Sequence, residues 1–254
     1  THGNDYPEVH RVNGSMLDES QVLIDFLAEL GYKRWAVIHD TTDYGTGYLG
    51  ILREKLADSD VEILATFGVA ADQQDFSAEL LRVKEIDPQI VVFAGLTPLG
   101  VRVRSQMDRL GVNSQFAGIS GIMSVSYHDA LGGLSEGTIS VHNGAPLETL
   151  PGGQMFVEEY AKARFTEPPE PYGPYAFVAT NLIIEAIEEV GPDREAVRDW
   201  LNAVENHQSI AGSITFDEHG HNSVASTRYV AQDGQWTRWE DSLYATGERT
   251  LRGR

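Results

Sequence analysis

The sequence predicts an α/β protein, with one complete lobe built on a doubly wound parallel sheet and a second α/β lobe that is incomplete. Three observations carry this. From about Asp18 onward, short β-rich apolar runs alternate with amphipathic helical segments, the signature of βαβ crossovers. Runs such as "QIVVFAG" are continuously apolar, as strands buried on both faces of a parallel sheet are. Past residue 145 the alternation stops, and helices predominate with only short strands between them.

In order, "SQVLIDFLAELG" has apolar residues at helical spacing and stops at Gly31, a good C-terminal signal. "RWAVIHD" is the first strand, "GTGYLGILREKLAD" a helix and "VEILATFGV" the second strand. "DFSAELLRVKEID" is the next helix, with Asp75 placed to cap its start. The strand "QIVVFAG", the helix "PLGVRVRSQMDRLG", the strand "SQFAGIS", the short helix "VSYHDALGG" and the strand "GTISVHN" complete a lobe over residues 12–145. Residues 146–225 hold the helices "GQMFVEEYAKARF", "YAFVATNLIIEAIEEVG" and "DREAVRDWLNAVE" and the short strand "GSITFD". Residues 226–254 return as a hairpin, "STRYVAQDGQWTRW", pivoting on Asp233-Gly234, and end in a tail. The helix "AFVATNLIIEAI" is apolar over much of its circumference, which implies deep packing, yet its own segment offers no sheet large enough to cover it.

The 254 residues carry a formal net charge of −19, and four of the nineteen basic residues are lysines. Such a field repels phosphate backbones and no basic stripe interrupts it, so nucleic acid is not an expected partner. With no cysteine, thiolate metal sites, thiol nucleophiles and disulfides are excluded. No apolar run reaches the roughly 20 residues that span a bilayer. The chain opens on Thr1, which reads as the start of a processed chain or of an excised piece.

The stretch "HDTTDYGTGYLG" contains a literal G-x-G-x-x-G at Gly45, Gly47 and Gly50. A dinucleotide fingerprint needs its first glycine directly after the strand, and an acid at the end of the next one. Here Asp40 to Tyr44 intervene, and the next strand ends in Phe67-Gly68. The cofactor reading fails, and the glycines are expected only to ease the loop into its helix. What remains is a loop at the carboxyl edge of a parallel sheet, where open α/β sheets bind ligands, with Tyr44 just ahead of the helix and suited to lining a small-molecule pocket. "GISGI" around Ser120 misses the G-x-S-x-G nucleophile elbow, since Ile122 stands where the last glycine belongs. His39-Asp40 and His128-Asp129 are chain neighbours and make no dyad by sequence, with His128 expected on a short surface helix. "DEHGHN", Asp217 to Asn222, reads as a polar turn. Asn13-Gly14-Ser15 matches a glycosylation acceptor without supporting context. No catalytic residue, cofactor or metal is expected.

Three stretches, "RWAVIHDTTDYGTGYLGILREKL", "DQQDFSAELLRVKEIDPQIVVFAGL" and "RSQMDRLGVNSQFAGISG", resemble the periplasmic Leu/Ile/Val-binding proteins of ABC transporters. In the tail, "GPYAFVATNLIIEAIEEVG" and "IAGSITFDEHGHNSVASTRYV" are similar to that family's late helix and its G-x-I-x-F-D-x-x-G segment. The resemblance runs from about Glu8 to Trp239. It implies the type I periplasmic-binding fold, with two α/β lobes joined by three crossover strands. It also implies an N-terminal stretch, ahead of this start, that supplies core strands and the groups that hold a ligand carboxylate. The family's ligand-stacking tyrosine matches Tyr44, and Leu96 stands at a position often aromatic in amino-acid binders. Thr97, Ser120 and Gly121 complete the implied ligand-binding set. Ser120 stands where the family often has an acid that pairs with the ligand's ammonium group. A buried ammonium without its carboxylate costs several kcal/mol. The departure therefore argues against a simple α-amino acid and leaves room for an amide, a keto acid, an aromatic carboxylate or another neutral or anionic solute, unless a shifted register brings another acid to the pocket. The implied function is the solute-binding component of an ABC importer, periplasmic or extracellular, with a small-molecule solute and a membrane ABC permease as partners. A ligand-sensing receptor domain of the same fold is the alternative. The exposed face of an incomplete lobe is expected to pair in a homodimer.

Overall fold

The structure, a computed structural model, describes residues 6–253. In chain order the main elements begin with α1 (Met16–Glu29), β1 (Arg34–Asp40), α2 (Asp43–Leu56), β2 (Glu62–Val69), α3 (Ser77–Ile86) and β3 (Ile90–Ala94). There follow α4 (Thr97–Leu110), β4 (Gln115–Gly118), α5 (Val125–Leu131), β5 (Ile139–His142), α6 (Gly153–Ala163), α7 (Gly173–Val190) and α8 (Arg194–Asn202). The chain closes with β6 (His207–Ser209), β7 (Gly212–Ile214), β8 (Thr227–Gln232) and β9 (Gln235–Arg238). Two compact units emerge: Met16–His142 with the segment from Thr227 onward, and the residues up to Ser15 with Asn143–Ser226.

The larger unit holds a seven-stranded sheet in the order β2-β1-β3-β4-β5-β8-β9. β1 to β5 are parallel, while β8 joins β5 and β9 joins β8 antiparallel. The pleat sends alternate side chains to opposite faces. Trp35 and Val37 of β1 and Val92 of β3 pack against Leu23, Phe26 and Leu27 of α1 and Tyr48 and Leu52 of α2. Ala36, Ile38, Val91 and Phe93 face the other way, onto Leu80 of α3 and Val103 and Met107 of α4. Both faces are thus apolar, which is why these strands read as unbroken hydrophobic runs. The β8–β9 hairpin turns on Asp233 (φ 53°) and Gly234 (φ 79°), the pair of positive φ values that a type I′ turn requires. Asp75 accepts from the Ser77 N–H at 3.1 Å and so holds the start of α3.

The smaller unit contains α6, α7, α8 and the two-stranded β6–β7 sheet. Its core gathers Val12, Val178, Leu182, Val204, Ile214 and Phe216. Only one face of α7 is covered. Val178, Leu182 and Ala186 are buried, but Phe177, Ile183, Ile184, Ile187 and Val190 are each between 40% and 47% exposed. The deep packing expected of this helix is therefore half met, and the small β6–β7 sheet explains why.

Two local expectations need correction. Tyr44 does not precede its helix; it lies in the first turn of α2, which starts at Asp43. The cause is Asp40, whose Oδ1 accepts from the Thr42 N–H (3.0 Å), the Thr42 hydroxyl and the Gly45 N–H (3.3 Å). These bonds satisfy donors a helix start leaves orphaned. His128 is not a surface residue. It is buried on α5, where its Nδ1 meets the Ser135 hydroxyl at 3.2 Å and its ring packs edge-on to Trp236. Burial lowers its pKa below the ordinary histidine value.

The glycine motif resolves in the same place. A Cβ on Gly45 would sit 2.4 Å from the Asp40 carbonyl oxygen and 2.7 Å from its Oδ1, whereas one on Gly47 or Gly50 would meet nothing within 4 Å. Gly45 exists so that the helix start can close on Asp40. Opposite signs follow: Gly45→Ala destabilises by about 1–3 kcal/mol through overpacking, while Gly47→Ala stabilises by up to about 1 kcal/mol through helix propensity. Urea denaturation midpoints of the two variants against the parent chain check this.

Candidate functional site

The parallel strands of the larger unit end on one edge, and the residues singled out in the sequence gather there. Asp40 ends β1, Gly95 and Leu96 follow β3, and Ser120 and Gly121 follow β4. The loops approach closely because they lack side chains. A Cβ on Gly121 would lie 2.5 Å from the Gly95 carbonyl oxygen, and 3.1 Å and 3.2 Å from the hydroxyl and Cε1 of Tyr44. The Tyr44 ring therefore comes close to bare backbone, half-buried and packed against the α1–α2 core. Thr97, in the first turn of α4, donates its hydroxyl to the Gly121 carbonyl at 3.1 Å and shares a second hydrogen bond with Ser124 at 3.1 Å. Leu96 is the N-cap of that helix, with its carbonyl accepting from the Leu99 and Gly100 N–H groups and its side chain 58% exposed. Tyr44, Thr97, Ser120 and Gly121 thus share one rim, with Leu96 projecting beside them.

Behind the rim lies a group the sequence reading passed over. Glu19 of α1 is fully buried, and its carboxylate accepts from both donors of Ser120: the N–H at 2.9 Å and the hydroxyl at 2.7 Å. Burying a carboxylate is tolerable only with such bonds. Tyr48 lies nearby; burial first, and the Glu19 charge second, push its phenol well above the ordinary tyrosine pKa. The premise that Ser120 leaves this edge without an acid is therefore overturned, because a different element delivers one. A signal was present. Glu19 is four residues before Leu23 and eight before Leu27, so a carboxylate sits on the apolar stripe of an otherwise regular amphipathic helix.

The rejected chemistries can be placed as well. A Cβ on Gly118 would collide with Ile122 Cδ1 at 2.2 Å, so the glycine of "GISGI" makes room for a fully buried isoleucine. The Ser120 proton is committed to Glu19. Asp217 Oδ1 accepts from the His219 and His221 N–H groups, each at 2.9 Å, which closes the "DEHGHN" turn on itself. Among the described residues no group of three or more His, Asp or Glu is placed to hold a metal ion.

Comparison with known proteins bears on the family and the fold. A family described as periplasmic binding protein matches residues 1–235. A curated relative, Leu/Ile/Val-binding protein homolog 2 of Brucella abortus, is 28% identical over 210 residues, which are 82% of this chain and 55% of the relative. The chain thus spans about half the length of that relative. Among solved structures, the leucine-binding protein LivK of Thermotoga maritima superposes with a TM-score of 0.84 at 22% identity, over 92% of this chain and 68% of that one. An ABC transporter solute-binding protein of R. palustris, in complex with benzoate, gives 0.81 at 14% identity, over 91% and 64%. The fold is that of the type I periplasmic binding proteins.

The Glu19–Ser120 pair makes a graded prediction. Glu19→Ala leaves two buried donors unpaired and costs about 2–4 kcal/mol, whereas Glu19→Gln keeps one acceptor and costs about half as much. Equilibrium urea denaturation measures both, and an alanine variant as stable as the parent would remove the pair from the account.

Proposed function

The chain belongs to the periplasmic binding protein family, and on that premise we propose that it is the extracytoplasmic solute-binding component of an ABC importer of the branched-chain amino acid type. The observation that carries this reading is the Tyr44 ring laid against the Gly121 backbone, with Thr97 and Ser120 alongside, at the sheet edge where such folds take ligands. An aromatic face, partly exposed backbone at Gly121 and two hydroxyls suit a small zwitterion or carboxylate. The work is binding and hinge closure, in which the ligand favours the closed state and a membrane permease reads it. No bond is made or broken, so no catalytic residue, cofactor or metal is called for. The place of action is periplasmic or extracellular. No helix among the described residues is long and apolar enough to cross a membrane.

The ligand class follows from Glu19. The T. maritima neighbour is a leucine-binding protein and the R. palustris one holds benzoate, so an amino acid and a carboxylate without an ammonium group are the two alternatives. Because Ser120 gives its proton to Glu19, its oxygen lone pairs are left to accept. An ammonium hydrogen-bonded there would lie roughly 5 Å from the carboxylate, worth about 3 kcal/mol at an effective dielectric near 20. This favours an amino-acid-like solute. The half-exposed stripe on α7 is read as a surface that pairs with a second copy when this chain stands alone.

A thermal-shift panel of L-leucine, L-valine, an aliphatic amide, 4-methyl-2-oxopentanoate and benzoate tests the reading. An aliphatic amino acid is expected to stabilise by about 2.7 kcal/mol at a hundred times its Kd, and Tyr44→Ala to weaken it about tenfold or more. Stabilisation by the keto acid or benzoate alone would reverse the charge assignment, and no response to any of the five would sink the proposal.

A further inference from the structure

At the opposite edge of the same sheet, where β4 and β5 begin, lies a cavity of about 320 Å³. Its lining includes Arg104 of α4, Ser114, Glu136, Thr138, Thr250 and Arg252. Arg104 is the anomaly. It is only 4% exposed and its Nη1 is buried without a hydrogen-bond partner. Among the described residues its guanidinium makes neither a hydrogen bond nor an ion pair.

A guanidinium does not escape such a position by losing its proton. A lone buried cation is among the costliest features a fold can carry. The carboxylate that lines the cavity, Glu136, is already committed. Glu136 accepts from the Tyr244 hydroxyl and from Arg249 Nη1, both at 2.7 Å, and from the Asp233 N–H at 2.9 Å. Asp108 attracts Arg104 but is not bonded to it, and Arg252 adds a second positive charge close enough to depress its pKa further below the level set by burial. Two arginines sharing one cavity repel each other unless something negative lies between them. In a chain with a net charge of −19, this is an unusual place for positive charge to accumulate.

We propose that this cavity is a binding site for a small oxyanion, a carboxylate, sulfate or phosphate group, held between Arg104 and Arg252. The guanidinium fork matches the geometry of such groups, and the Thr250 hydroxyl lines the same space. The site is separate from the Tyr44 rim, on the other edge of the sheet, and stands whether or not the transport reading does.

The test is the melting temperature of the whole chain in a chloride buffer of fixed ionic strength, with sodium sulfate, sodium phosphate or sodium acetate replacing chloride stepwise. At least one of the three is expected to raise Tm saturably by several degrees, and which one does so separates a carboxylate from an inorganic oxyanion. Because sulfate stabilises proteins generally by exclusion, the reading is the difference between parent and variants. Arg104→Met is expected to lose the saturable rise. Arg252→Gln, at an exposed position whose recorded hydrogen bonds are made by its backbone, is expected to shift the half-saturation concentration upward about tenfold. An identical response in the parent chain and Arg252→Gln, or a rise that never saturates, would overturn the site.

Discussion

The rim rests on carboxylates that never reach the solvent. Glu19, inserted from the first helix, takes both donors of Ser120 and so fixes the loop that leaves β4. Asp40 does the same for the loop that leaves β1, drawing the start of α2 down far enough that Tyr44 falls in its first turn. Without these two anchors the Tyr44 ring and the Gly121 backbone would sit on independently mobile loops. With them, both are set by the sheet, and a rigid scaffold is what a binding rim needs.

The architecture was legible because its cause is written locally. Strands buried on both faces must be apolar throughout, so "VVFA" and "AVI" announce a parallel sheet, and Asp233-Gly234 announces the one turn whose φ angles it alone fits comfortably. The rim was legible only in part. Tyr44, Thr97, Ser120 and Gly121 come together because strand ends of a parallel sheet share an edge. Glu19 did not come with them, since its partner lies 101 residues away and no local rule joins a helix carboxylate to a serine after the fourth strand. The start of α2 was misplaced by two residues because Asp40, at the end of β1, caps it through Thr42 and Gly45. His128 was read as exposed because its cover, Trp236, comes from the hairpin.

The two glycine-rich signals in this chain turn out to be packing devices. Gly45 admits the backbone of Asp40, Gly118 admits Ile122, and Gly121 admits Gly95 and Tyr44. In each case the missing Cβ lets two elements meet closer than any side chain would permit, which is how short loops at a sheet edge can form a surface rather than a tangle. A motif that looks like phosphate recognition and one that looks like a nucleophile elbow thus share one structural origin.

The most direct measurement is amide hydrogen exchange on the chain with and without a saturating aliphatic amino acid. The account expects new protection confined to the ends of β1, β3 and β4: Thr42 to Gly45, Gly95 to Leu99 and Ser120 to Ser124. Protection that left these amides unchanged and appeared instead on α7 or at the Arg104 cavity would contradict it.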